Sequence, residues 1–142
     1  MTNSSNKQGK IILVGAGPGD AGLFTLQGKH WLQKADVVLF DHLVNEDLLR
    51  FTQKETEIIY VGKKEGVASL EQEAINELLT EKAKEGKIVV RLKGGDPFIF
   101  GRGGEEIQAA NKFQIPFLIV PGITSITGVA AYAGIPLTHR HL

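Results

Sequence analysis

The residues best suited to chemistry in this 142-residue chain fall in three glycine-bearing stretches, each directly after a short apolar run. The first is Gly-Ala-Gly-Pro-Gly-Asp at 15–20. Glycines at such a place let the backbone come close to a ligand. A dinucleotide fingerprint needs a third glycine at position 20, where Asp20 stands, and Pro18 removes an amide that a pyrophosphate would use. The Gly-Lys-Ser/Thr of a Walker loop is missing as well. A nucleoside without phosphates suits this loop better, and a tight turn with no ligand is the alternative.

The second stretch runs from 92 to 106 and contains Gly94, Gly95, Asp96, Phe98, Phe100, Arg102, Gly103 and Gly104. So many glycines cost too much chain entropy for a plain connector. Asp96 can reach a ligand hydroxyl or amine, Phe98 and Phe100 can wall an apolar pocket, and Arg102 can face an anion. The alternatives are an Asx turn before Pro97 and a salt bridge from Arg102 to Glu105 or Glu106. The third stretch is Val-Pro-Gly-Ile-Thr-Ser at 120–125, a strand end followed by a helix start. There Thr124 or Ser125 can cap the helix, which still leaves the same amides free to meet a ligand. Asp41 and Lys63 each follow an apolar run, and a carboxylate and an ammonium at one sheet edge can act as acid and base. Solvated loop charges are the common alternative. The four histidines have no metal-ligand spacing, and only His42, beside Asp41, is near these loops.

The elements that must position these loops are legible from periodicity. Residues 10–14, 37–40, 58–61, 88–92 and 117–120 are short, continuous and apolar, which predicts strands of a parallel sheet buried on both faces. Helical stretches are expected at 25–34, from a Ser69 cap through Ala74, Ile75, Leu78, Leu79 and Ala83 to Gly86, at 104–113 with a stripe of Ile107, Ala110 and Phe113, and at 124–133. The last of these is small and apolar, suited to tight packing on a sheet. Strands alternating with helices predict an α/β open sheet, whose ligands gather at the carboxyl ends of its strands.

Composition narrows the classes further. Lys+Arg and Asp+Glu are both 16, against a nucleic-acid arm or a polybasic membrane anchor. There is no cysteine, which excludes disulfides, thiolate metal sites and a Cys nucleophile. No apolar run approaches a membrane span, and residues 1–9 are polar, unlike a signal peptide, so they are read as a flexible tail and the compartment as the cytoplasm. Residues 10–142 are read as one domain.

Taken together, the stretches at 14–22, 90–106, 120–125 and 133–140 resemble the motifs of the tetrapyrrole methylase family, in the family's order and over nearly the whole chain. The resemblance implies a five-stranded parallel sheet in the order 3-2-4-1-5, flanked by helices, as the N-terminal domain of a two-domain fold. It implies a second α/β domain following Arg140. It also implies S-adenosyl-L-methionine as cofactor, no metal, and uroporphyrinogen III as a substrate methylated twice at carbon to precorrin-2, on the way to sirohaem or cobalamin. By the same resemblance Pro18, Gly94, Gly95, Asp96, Ile99, Thr124 and Ser125 meet the cofactor. Ser125 falls where relatives often carry Ala. The family's proton acceptor falls on Asp41 and its proton donor on Lys63. A substrate rich in carboxylates favours cations around the cleft, with Arg91, Lys93, Arg102 and Arg140 as candidates and a buried structural role as the alternative for Arg91. A homo-oligomer, most simply a dimer, is expected. The competing readings are a half-domain without turnover that only binds or assembles, and a fragment of a nicotinamide or flavin oxidoreductase, against which Asp20 counts.

Overall fold

The computed structural model describes residues 7–62 and 71–141. Five strands, β1 (Lys10–Gly15), β2 (Val37–Phe40), β3 (Glu57–Tyr60), β4 (Ile88–Lys93) and β5 (Phe117–Val120), pair in parallel as one sheet in the order β3-β2-β4-β1-β5. This is the order the family resemblance implies. Helices α1 (Leu26–Lys34), α2 (Gln72–Lys84) and α3 (Gly103–Lys112) lie between strands, and α4 (Ser125–Tyr132) follows β5. Short 3-10 turns at Ala21–Leu23 and Glu46–Phe51 complete the connections.

The inner strands β1, β2 and β4 are buried on both faces because both faces are covered. Ile12, Val14, Val38, Val90 and Leu92 pack with Leu32 and Leu48 on one side, and Ile11, Leu13, Val37, Leu39 and Val89 pack with Ile75, Leu79, Ala83 and Ala110 on the other. Each fully buried aliphatic side chain contributes roughly 1.5–3 kcal/mol of transfer free energy. Local signals set the helix ends. The Thr25 hydroxyl accepts the Gly28 N–H at 2.9 Å to start α1, and Gly86, at φ 82°, supplies the left-handed residue after α2.

Several expectations need correction. Ser69 lies outside the described residues, and the residue before α2 is Glu71, whose side chain makes no capping bond. The outer strands are not buried on both faces: Ile58 is 41% exposed, Phe117 38% and Leu118 44%. An apolar run marks a strand, but only neighbours on both sides bury it, and β3 and β5 are edges. Helix α4 is not packed tightly on the sheet either, since only Gly128 in it is buried. Phe113 is absent from the core stripe of α3; its ring lies exposed under the Lys84 ammonium, 3.5 Å from the ring centre. Of the segment read as a tail, residues 1–6 lie outside the described residues, and Gly9 is buried against the Ala83 carbonyl.

Candidate active site

The carboxyl ends of the strands surround a cavity of about 780 Å³. The loop after β1 supplies Gly17 and Pro18, that after β2 Asp41, His42 and Leu43, and that after β4 Gly94, Gly95 and Ile99. Thr124, Ser125 and Ile126 close one side from the start of α4. The three glycine stretches that are far apart in sequence therefore meet at one place.

Glycine is required there chiefly because the loops touch one another. Gly17 and Gly95 form a two-bond bridge, with N···O distances of 3.2 and 2.8 Å, and both sit in the left-handed region at φ 82° and 63°. A Cβ on Gly122 would collide with the Gly95 carbonyl and with Gly15. The expectation of close backbone approach holds, but the first partner is another loop. Asp96 belongs to the same stitching. Its two oxygens accept the Phe98 N–H at 2.9 Å and the Gly122 N–H at 3.0 Å. The Asx turn is thus formed, and the Asp96 carboxylate ties the loop after β4 to the loop after β5 without lining the cavity.

Asp20 has a similar part in the first loop. It accepts the Gly22 N–H at 2.7 Å and the Tyr132 hydroxyl at 2.8 Å, so it joins that loop to α4. The Gly22 amide first, and then Tyr132, hold its carboxyl below the ordinary aspartate value. Thr124 caps α4, its hydroxyl accepting the Ile126 N–H at 3.4 Å, while Ser125 opens the helix.

Of the two expected apolar walls, the cavity lining includes Phe100 and not Phe98. Phe98 does not line the cavity and is 55% exposed, whereas Phe100 stands fully exposed at the rim. Leu43, Val61, Ile75, Ile99 and Ile126 join Phe100 in the apolar lining. Arg102, also on the rim, pairs with Glu105 at 2.8 Å, which is the salt bridge weighed as its alternative. Arg140 is exposed and does not line the cavity.

A largely buried charge cluster forms part of the cavity, with Asp41, Arg91 and Lys93 in its lining. Arg91 and Lys93, two residues apart on β4, share one face of the sheet. Arg91 donates from Nη2 to Asp41 Oδ2 at 2.7 Å, from Nη1 to the Leu92 carbonyl at 2.9 Å and from Nε to Glu106 Oε1 at 3.3 Å. Lys93 donates to both Glu106 oxygens at 3.0 and 2.9 Å. Burial pushes the Lys93 ammonium below its ordinary value, against the pull of Glu106. The structural alternative for Arg91 is what the structure contains, and Lys93 is likewise committed to Glu106, so neither is a free cation for a substrate carboxylate.

Glu106, 1% exposed, is the residue the sequence reading missed. A signal was available: it lies at helical spacing between buried Gly103 and buried Ala110, opposite two cations that share a strand face. Asp41 keeps its place on the cavity, with Oδ1 accepting the Leu43 N–H at 3.0 Å. Its expected partner Lys63 lies outside the described residues. Among the described residues no group of three or more His, Asp or Glu can hold a metal, and no helix is long and apolar enough to cross a membrane.

A cofactor-sized cavity at the switch edge of a 3-2-4-1-5 sheet, stitched by these three glycine loops, is the signature of a class, and comparison with known proteins agrees. The sequence profile of the Tetrapyrrole (Corrin/Porphyrin) Methylases matches residues 10–142, and the chain belongs to this family. It is 63% identical over 140 residues to a siroheme synthase of Zymomonas mobilis, covering 99% of this chain and 30% of that protein. It is 58% identical over 132 residues to a uroporphyrinogen-III C-methyltransferase of Methanocaldococcus jannaschii, covering 93% of this chain and 54% of that one. The uroporphyrin-III C-methyltransferase of Thermus thermophilus, solved in complex with S-adenosyl homocysteine, superposes with a TM-score of 0.77 at 44% identity, over 94% of this chain and 52% of that one. The chain thus spans between about a third and a half of the length of these relatives.

Proposed function

We propose that this chain forms the S-adenosyl-L-methionine-binding part of a methyltransferase that converts uroporphyrinogen III to precorrin-2 by two C-methylations. The observation that carries the reading is the convergence of the loops after β1, β4 and β5 on one cavity that also holds Asp41. The fit to a nucleoside thioether is chemical. Pro18 lacks an amide and Gly17 spends its own on Gly95, so the first loop offers a pyrophosphate two amides fewer. Backbone of Gly94 and Gly95, the Thr124–Ser125 turn and the apolar Ile99 and Pro18 suit a largely uncharged adenosine. Asp96 supports that surface from behind by fixing the loops.

When bound, the cofactor supplies an electrophilic methyl on a sulfonium. The pyrrole carbon is electron-rich, so the chain's work is positioning and moving one proton. Asp41, fixed by Arg91 and the Leu43 amide, accepts that proton, and Lys63 donates where the ring must be reprotonated. Arg102 at the rim, rather than Arg91 or Lys93, meets substrate carboxylates. The exposed apolar residues Ile126, Val129, Tyr132, Phe117 and Leu118 support association with a second copy, and the cytoplasm is the expected compartment.

Calorimetric titration of the chain with S-adenosyl homocysteine, with NAD as control, tests the cofactor class. Binding of the former alone is expected; binding of NAD alone would overturn the methyltransferase reading. The 142 residues by themselves should turn over uroporphyrinogen III weakly or not at all, and near-normal product formation would contradict that. Sedimentation at high concentration should show self-association, and a clean monomer would remove it.

A further inference from the structure

We infer that Glu106 is a positioning residue for the reaction, setting the Asp41 carboxylate at the cavity through Arg91. This rests on Asp41 being the proton acceptor. The chain of contacts is continuous: Glu106 to Arg91 Nε at 3.3 Å, and Arg91 Nη2 to Asp41 at 2.7 Å. The two ends of one planar guanidinium thus hold two carboxylates, and fixing one end fixes the direction of the other. Glu106 is itself fixed, since both its oxygens are held by Lys93 and no part of its side chain is exposed.

The charges balance as a set. Arg91 and Lys93 bring two positive charges, and Asp41 and Glu106 two negative ones. Burying such a cluster brings little net stability, because the cost of dehydrating four ions roughly offsets their attraction. An apolar filling of the same space would serve the core as well. What the cluster adds is geometry at the cavity, which Asp41, Arg91 and Lys93 line and Glu106 does not; Asp41 is its most open member, with 18% of its side chain exposed against 0% for Glu106. Without Glu106, Asp41 would be, among the described residues, the one anion left beside Arg91 and Lys93. The guanidinium would lose the bond at Nε and keep those to Asp41 and the Leu92 carbonyl, and Lys93 would compete for the carboxylate that must face the substrate.

The test is steady-state methyl transfer to uroporphyrinogen III by the intact protein carrying Glu106→Gln, Asp41→Asn, or both. Folding is checked by circular dichroism and by affinity for S-adenosyl homocysteine. Glu106→Gln should lower kcat at least ~10-fold, since small displacements of a reacting group are that costly. KM and S-adenosyl homocysteine affinity should stay within about twofold. In the Asp41→Asn background Glu106→Gln should cost nothing more, because both substitutions remove the same positioned group. Normal turnover in Asp41→Asn would overturn the assignment of Asp41 itself. Impaired Asp41→Asn beside unimpaired Glu106→Gln would overturn only the role of Glu106. Equal, multiplying losses in both backgrounds would make Glu106 merely structural and overturn it as well. Should Glu106→Gln fail to fold, Arg91→Lys decides. A lysine keeps the charge but cannot hold both carboxylates in one plane, so the same fall in kcat at steady KM is expected and an unchanged kcat overturns the inference.

Discussion

The inner part of the sheet and the β5–α4 side are built from similar residues and end in opposite states. Val37, Val38, Leu39, Val89 and Val90 are fully buried, whereas Ile126, Val129 and Tyr132 of α4 are 53%, 60% and 67% exposed. Composition does not separate them: both are runs of aliphatic and small residues. The separation comes from coverage. Strands β2 and β4 have a strand on each side and helices on each face, while β5 is an edge. Apolar content therefore measures how much surface a segment can bury, and the neighbours decide whether it does.

Paired substitutions break or sharpen this contrast. Leu39→Ala, in the middle of β2, should cost about 2–5 kcal/mol of unfolding free energy, because it leaves a hole in a close-packed core. Val129→Ala should stay within about 0.5 kcal/mol. Chemical denaturation at low protein concentration checks both. If Val129→Ala costs as much as Leu39→Ala, the α4 face is covered in solution and the contrast fails.

The same contrast shows what could be read from sequence. The strands, their parallel pairing class and the three loops were legible because short apolar runs followed by glycine are local patterns. The burial of β5 and α4 was not, since it depends on which strand is an edge, a property of the order in space. At the site, Asp41 was legible by its place after a strand, but its bond to Arg91 spans fifty positions of sequence and no local pattern encodes it. Asp96 was singled out as a ligand group with an Asx turn as its alternative; the turn was legible, but its second bond, to an amide 26 residues away, was not. Glu106 stood in a glycine-flanked acidic pair that looks like a solvated helix start, and only its partners on β4 make it a core residue.

Two glycines carry the comparison into the loops. Gly122 is pressed against Gly15 and Gly95, where a Cβ has no room. Gly122→Ala should cost about 1–3 kcal/mol by overpacking and should weaken S-adenosyl homocysteine binding, since the loops after β1, β4 and β5 must part. Gly104, in the exposed first turn of α3, has nothing within 4 Å of where a Cβ would stand. Gly104→Ala should leave binding alone and stabilise by up to about 1 kcal/mol, through the unfolded chain's lost freedom. Thermal melts with and without S-adenosyl homocysteine separate the two; equal effects would mean that the loop contacts do not shape the site.

The smallest expected effect concerns a side-chain bond between α4 and the first glycine loop. The Asp20–Tyr132 bond is exposed, and it joins the poorly covered helix to the first glycine loop. The Asp20 carboxyl is held below its ordinary value of 3.8, first by the Gly22 amide and then by Tyr132. Its contribution is therefore whole above pH 3.8 and is lost as pH falls through the lower folded-state value. The Tyr132 hydroxyl is held above its ordinary value of 10.0 by Asp20, so its share is whole below pH 10.0 and is lost as pH rises through the higher folded-state value. Tyr132→Phe should consequently lower the urea midpoint by a small, constant amount between these limits, and the gap from wild type should close at both ends of the pH range. Because Gly22 still holds Asp20 in the variant, the acid end should close only in part of what Asp20→Asn shows. A gap that persists unchanged to pH 2 would mean that Tyr132 acts through packing, and that α4 is covered by more than this one bond.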